Sequence, residues 1–308
     1  MTEHTAAPVG LEEYVVKYSD GVGTGLGKVK TKCTTWDRFY ERFERENILV
    51  DTECTYAQYL KLNDDETLEK KRAPGNWLAA LFKEGRRKAT HNLGRTMIVY
   101  DIDTVTPEQL DNIIHNAAIN KYAWLMHTSR KHCPEKPRVR MIFPVQGRMD
   151  EVQFNAIARF LALQLADDPE EAIEIPDLVS FRYTQTMFKP SISKDQEYWL
   201  RRNDGEVLDR DEFLTECPNW DDFAQLPYQS EEKARAVQDP NRKMEDPREK
   251  FGLIGAWCRV YTVDDAIAEY LSDVYEPGDS ATETRYTYVA GSGSNGAVAY
   301  DNGLFLHS

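Results

Sequence analysis

Residues 96–102, TMIVYDI, read as a buried strand: an apolar, β-branched run that carries Asp101 near its end and is followed by Asp103. Just beyond it, Thr106-Pro107 offers an N-cap and a first-turn proline. Leu110, Ile113, Ile114 and Ala117 then recur at helical spacing. Residues 121–128, KYAWLMHT, predict a second strand, and 138–145, RVRMIFPV, a third. Phe154, Ile157, Phe160, Leu161 and Leu165 mark a second helix. The alternation of 182–189, RYTQTMFK, predicts a fourth strand.

The order β-α-β-β-α-β sets the expected fold class: α+β, with a split-βαβ core like that of RNA-recognition motifs, plus an N-terminal elaboration. In such a sheet the first strand lies centrally, flanked by the third and fourth. Residues 228–250 are charged and poor in large apolar groups, as a linker would be. The expected domains are therefore 1–227, a linker over 228–249, and a small, mainly helical unit over 250–308. Its helices come from the apolar spacing within 250–276, and RYTYVAGSGSNGAVAYDNGLFLHS, 285–308, predicts a closing hairpin. The chain is expected to be the front part of a longer protein.

Net charge is −14, which excludes coating of nucleic acid by bulk electrostatics. The distribution is more telling than the sum. Within 121–140, Lys121, Arg130, Lys131, Lys136, Arg138 and Arg140 face only Glu135, and six minus one leaves +5. An acidic chain with one concentrated basic segment is suited to a small anion or a single strand; a solvated charged loop is the plain alternative. The five cysteines, Cys33, Cys54, Cys133, Cys217 and Cys258, are scattered without a C-x-x-C pair, so neither a disulfide framework nor a paired-cysteine zinc site is expected. No apolar run reaches membrane-spanning length and the start is unlike a signal peptide, so a cytoplasmic protein is expected.

Asp101 and Asp103 stand two apart, on one face of the strand, with backbones about 6–7 Å apart. Two carboxylates this close repel unless a cation offsets them, and oxygen donors suit Mg²⁺ or Mn²⁺. A lone D-x-D is more often a solvated acidic turn, but here it emerges from a wholly apolar run. On the third strand Arg138 and Arg140 share one face, opposite Val139, Met141 and Phe143, and two such arginines can grip a polyphosphate. Asp177 precedes the expected fourth strand. Strand order would bring it to the other two acids, and three carboxylates with a basic shell are what two-metal phosphoryl transfer needs.

These segments resemble the three motifs of the archaeo-eukaryotic primase superfamily, an acidic pair, a Ser/His motif and a final acid. The likeness is strongest to the primase-polymerases at the front of phage and plasmid replicative helicases. TSRKH (128–132), PRVRMIFP (137–144) and FRYTQTMFKPS (181–191) carry it. So do TTWDRFYERF (34–43), CTYAQYL (54–60) and GNWLAALFKEGRRKATHNLGR (75–95). The resemblance implies template-directed nucleotidyl transfer on single-stranded DNA from nucleoside triphosphates, ribo- or deoxyribo-, coupled to a helicase. It implies metal ligation by Asp101, Asp103 and Asp177. It also implies triphosphate contact by His132, supported by Arg138, Lys131 and Arg140, with Arg87 and Lys88 further out. The middle motif is commonly Ser-x-His, whereas Ser129 here lies three before His132 and Arg130 fills the expected place.

Two other readings compete. A non-catalytic module could hold single strands on Tyr100, Tyr183 and Phe188, but Asp101 and Asp103 would then repel phosphate. A replication-initiator endonuclease needs a His-x-His pair, which His4, His91, His115, His127, His132 and His307 do not form.

Overall fold

In a computed structural model of the chain, residues 11–23, 25–238, 246–249, 252–278, 284–290, 294–300 and 303–307 are described. They fall into two compact units, Met1–Glu232 and Lys233–Ser308. The first unit begins with strands β1 (Val15–Gly21), β2 (Val29–Thr35), β3 (Leu49–Asp51), β4 (Asn76–Leu78) and β5 (Ala80–Phe82). Its centre is made of β6 (Asn92–Ile102), β7 (Ala123–Thr128) and β8 (Val139–Met149). Four short strands follow: β9 (Met187–Phe188), β10 (Ser191–Ser193), β11 (Leu200–Asp204) and β12 (Leu208–Asp209).

The main sheet runs β11-β7-β8-β6-β5, with β12 added in parallel to β8. Both β6 and β7 pair antiparallel with β8, which lies between them. The helix Pro107–His115 follows β6, with Thr106 accepting from the Gln109 amide and Pro107 in its first turn. A capping box at Asp150 likewise starts Glu151–Ala162 after β8.

The stretch 97–100 carries no charge because the sheet is covered on both faces there. One face sends Ile98, Tyr100, Ile102, Met126, Val139, Met141 and Phe143 into a core with the two helices. There the Tyr100 hydroxyl donates to the Ala158 carbonyl at 2.7 Å. The opposite face sends Met97, Val99, Leu125 and Ile142 against Trp36, Phe39, Phe43 and Trp77 of the N-terminal layer. That layer includes a second sheet, β2-β1-β4-β9, and the parallel pair β3 and β10. A single residue, Ala79, separates β4 in the second sheet from β5 in the main one.

The mixed α+β class is as expected, but the fourth strand is not where the alternation of 182–189 put it. Only Met187–Phe188 is extended, and it pairs with Asn76 and Trp77 of β4, outside the main sheet. Asp177 instead caps a 3-10 turn, Leu178–Phe181, which uses up the chain before it can lie beside β6. The place next to β6 is taken by β5.

In the second unit the described elements include helices Gly252–Cys258 and Val263–Tyr270 and an antiparallel sheet of Tyr275–Pro277, Thr284–Tyr288, Ala297–Tyr300 and Phe305–His307. Four strands beside two helices make it a mixed unit rather than a mainly helical one. A third of the expected linker, residues 239–245, and parts of the expected hairpin, residues 291–293, 301–302 and 308, lie outside the described residues. Among the described residues no helix is long and apolar enough to cross a membrane.

Candidate functional site

One row crosses the main sheet at the end of β6: Asp101 opposite Arg140, and Arg140 opposite His127. Cross-strand partners share a face, so this row continues the one formed by Val99, Ile142 and Leu125. Where the N-terminal layer stops covering that face, the apolar row gives way to a charged one.

A cavity of about 220 Å³ opens there. Asp101 and Asp103 line it together with Lys71, Arg130, Lys131, Arg138, Arg140 and Lys189. Six cations against two acids leave a surplus of four positive charges, the balance expected for a polyanion.

Each acid is held by one arginine. Arg140 donates from Nε and Nη2 to both oxygens of Asp101, at 2.8 and 3.1 Å, and from Nη1 to the Phe188 carbonyl at 2.9 Å. Arg138 Nη1 donates to Asp103 at 2.5 Å. Burial raises the Asp103 pKa above the ordinary carboxylate value; Arg138 opposes this, while Asp101 and Asp177 add to it.

Arg130 is only 6% exposed. It donates to Asp51 at 2.8 Å and lies 4.5 Å over the Tyr59 ring, yet its Nε and Nη1 have no acceptor. Lys70 donates to the same Asp51 oxygen at 2.7 Å. Burial works against the Asp51 carboxylate, but Lys70 and Arg130 outweigh it and hold its pKa below the usual range. Arg130 is thereby fixed in the cavity wall, with two of its donors buried and unmet.

The acids do not meet as a three-ligand group. The Asp177 amide donates to the Asp101 carbonyl at 2.7 Å, and Ser180 accepts from the Asp101 amide at 3.0 Å, so the two segments are joined through their backbones. The Asp177 carboxylate, however, accepts from Val179 N at 2.9 Å. Among the described residues no group of three His, Cys, Asp or Glu side chains could hold a metal ion. The expected gathering of Asp101, Asp103 and Asp177 is therefore met in the backbone and not in the side chains.

His132 also departs from expectation. It is buried, packs edge-on against Trp199, and its Nδ1 accepts from the Arg138 amide at 3.2 Å. It borders a different cavity, with Pro107, Glu197 and Trp199. Ser129 does line the charged cavity, and its amide donates to the Arg138 carbonyl at 2.9 Å. Arg87 and Lys88 are not part of its lining: Arg87 donates to the Thr184 carbonyl at 3.0 Å, and Lys88 is exposed.

The sequence reading assigned no role in the site to three of its ionisable lining residues. Lys71 arrives from the capped helix Asp64–Arg72, and burial, with repulsion from Lys131, lowers its pKa. Lys189 follows β9. Nothing in their spacing marks either. The third, His127, is 1% exposed, stacks on Phe43 and has Nδ1 2.9 Å from the Thr128 carbonyl. Its Nε2 is buried without a partner.

Burial, aided by Arg140, pushes the His127 pKa down to about 3. The unfolded chain takes up a proton below the ordinary value of 6.5 that the folded chain refuses. Stability is therefore expected to fall as pH drops from 6.5 towards 3, by at most about 1.4 kcal/mol per pH unit from this residue. Urea midpoints of wild type and His127→Leu between pH 7 and pH 4 check this. The variant should lose less with acid, and parallel curves would reject the assignment.

A family model described as the VapE N-terminal domain matches residues 15–229. The chain belongs to that family. VapE is virulence-associated protein E, and its N-terminal domain is associated with phage and plasmid replication proteins. The match lies within the first unit and takes in the whole charged cavity. No curated protein matches the chain, and no solved structure does.

Proposed function

We propose that this VapE N-terminal domain is a primase-polymerase, joining nucleotides along a single-stranded DNA template. The observation that carries the reading is the acidic pair at the end of β6 beneath six cations. In this reading β6, the helix Pro107–His115, β7 and the intervening β8 are a split-βαβ core of the RNA-recognition-motif kind, with β5 as its fourth strand.

The reaction forms a bond from a 3′-hydroxyl oxygen to the α-phosphorus of a nucleoside triphosphate. The bond to the β-phosphate oxygen breaks, and pyrophosphate leaves. Arg130, Lys131, Arg138, Arg140 and Lys71 would take the triphosphate oxygens, with Ser129 beside them. His132 would act through Arg138, whose amide it accepts, and Arg87 by holding the 184 carbonyl; Lys88 lies further out.

Asp101, Asp103 and Asp177 all present oxygen, the donor that Mg²⁺ and Mn²⁺ take, so the set matches in donor type but not in placement, since the Asp177 carboxylate stays on the Val179 amide. It fits in charge only when Arg138 and Arg140 pass from the acids to an incoming triphosphate, which leaves the carboxylates uncompensated. A bound cation would lower the pKa of the attacking hydroxyl and offset charge on the departing pyrophosphate.

The direct test is extension of a primed template by the full chain with Mg²⁺ or Mn²⁺, supplied with ribo- or deoxyribonucleotides. Growth of the primer is expected. The arginine-engaged acids favour one rival, a non-catalytic single-strand binder. DNA binding without extension under either metal would decide for it. Coupling to a replicative helicase belongs to the same proposal.

A further inference from the structure

The chain between β7 and β8 puts Ser129, Arg130 and Lys131 into the lining of the charged cavity. The acids nearby are taken by other cations: Asp51 by Lys70 and Arg130, Asp103 by Arg138, Asp101 by Arg140. Among the described residues Lys131 forms no ion pair, and it lies close enough to Lys71 to depress that residue's pKa. Its place in the cavity therefore depends on its backbone.

That backbone hangs on two side chains outside the cavity lining, those of Gln196 and Tyr56. After β10 a tight turn, in which the Gln196 amide donates to the Ser193 carbonyl at 3.1 Å, folds the Gln196 side chain back on its own start. Its Oε1 accepts from the Ser193 amide at 3.2 Å, which leaves Nε2 to face outward as the donor. Nε2 donates to the carbonyls of Arg130 and His132, both at 3.0 Å, and to that of Ser129 at 3.3 Å. The carbonyl left out, that of Lys131, accepts from the Tyr56 hydroxyl at 3.0 Å. Asp195 sets Tyr56 in turn, accepting from its amide at 2.7 Å. Four successive carbonyls, 129 to 132, are thus held by Gln196 and by a tyrosine that the residue before Gln196 anchors. Ser129 has a second donor in the His132 amide, at 3.0 Å, but Gln196 is what holds the buried carbonyls of Arg130 and His132.

We propose that Gln196 is a positioning residue for Lys131. With Tyr56 it clamps the 129–132 turn and so keeps the lysine ammonium in the cavity, against repulsion from Lys71, where a polyphosphate would meet it. That the polyphosphate is a nucleoside triphosphate rests on the function proposed above.

The test is calorimetric titration of the full chain, without metal, with inorganic tripolyphosphate, at a temperature where each variant is folded. Gln196→Met keeps the volume and loses the donor, and it is expected to weaken binding about tenfold. In a Lys131→Ala background the same change should cost less than about twofold, because the group it misplaces is gone. Gln229→Met is the matched control. Gln229 is 4% exposed and donates from Nε2 to the carbonyls of Ile173 and Pro176, at 2.8 and 2.6 Å, none of them in the cavity lining. This variant should lose stability and keep its affinity for tripolyphosphate.

Wild-type affinity in Gln196→Met would overturn the proposal. So would an equal loss in Gln229→Met, an undiminished loss in the Lys131→Ala background, or a wild-type chain that does not bind tripolyphosphate. If Gln196→Met does not fold, Tyr56→Phe carries the test, with binding expected to weaken about threefold and unchanged affinity overturning the clamp. A chain that shows the expected pattern yet never extends a primer would sink the polymerase reading and leave the clamp standing. Primer extension by the wild type, beside unchanged tripolyphosphate binding in Gln196→Met, would sink the clamp alone.

Discussion

Asp101→Ala combined with Asp103→Ala is expected to cut nucleotide incorporation about a thousandfold in primer extension. The two acids are the negative charges lining a cavity with six cations. Without them nothing in its lining offers a hard cation an anionic oxygen. Arg140 keeps its bond to the Phe188 carbonyl and Arg138 its backbone bond to His132, so the cavity wall should survive. Unfolding midpoints should therefore move little, and oligonucleotide binding should persist. Asp177→Ser is the companion variant, because serine caps the 3-10 turn as well as aspartate does. Lost incorporation at unchanged stability would mark the Asp177 carboxylate as part of the chemistry. A double variant retaining more than a tenth of wild-type incorporation would refute the acidic-pair assignment.

The largest effect on stability is expected far from the cavity, at Glu232→Ala. Arg159, 3% exposed, is sandwiched 4.5 Å from the Phe181 ring and 4.3 Å from that of Tyr228. It donates to both oxygens of Glu232, at 2.8 and 2.6 Å. Removing the carboxylate strands a buried guanidinium, which costs about 3–5 kcal/mol. For a unit of this size that lowers the midpoint by roughly 10 °C. Arg159→Met with Glu232→Leu should regain most of it, since a hydrophobic pair carries no unmatched charge. Differential scanning calorimetry of the three variants measures this, and equal midpoints for Glu232→Ala and wild type would exclude the strut.

What the sequence made legible is the part governed by local pattern. β6, β7 and β8 follow from apolar, β-branched runs, and the helices between and after them from spacing and caps. Strand alternation gives the shared face of Arg138 and Arg140, whereas the pairing of Asp101 with Arg140 is set by the register between β6 and β8. The rest was set by distant partners. The run 182–189 alternates as a strand does, but Asp177 and Ser180 bind the backbone around them and turn the chain before the alternation can be used. β5 stands beside β6 because Ala79 is all that separates it from the second sheet, a junction with no one-dimensional signature. His127 sits inside an apolar run, and burial gives an imidazole no periodic mark. Lys71 and Lys189 reach the cavity from segments 118 residues apart, and a count along the chain cannot see that.

The parallel pairing of β3 with β10 ties residues 49–51 to 191–193. A ribosome must therefore release some 190 residues before the cavity wall can close. At about 5–20 residues per second, the roughly 44 residues from the end of β8 to the end of β10 take about 2–9 seconds, during which the central strands are formed and the charged mouth is unfinished. During that interval the apolar face of Met97, Val99, Leu125 and Ile142 waits for Trp36, Phe39 and Trp77 to be locked in place. A chaperone that shields this face early would raise the yield of active protein more than one supplied after release.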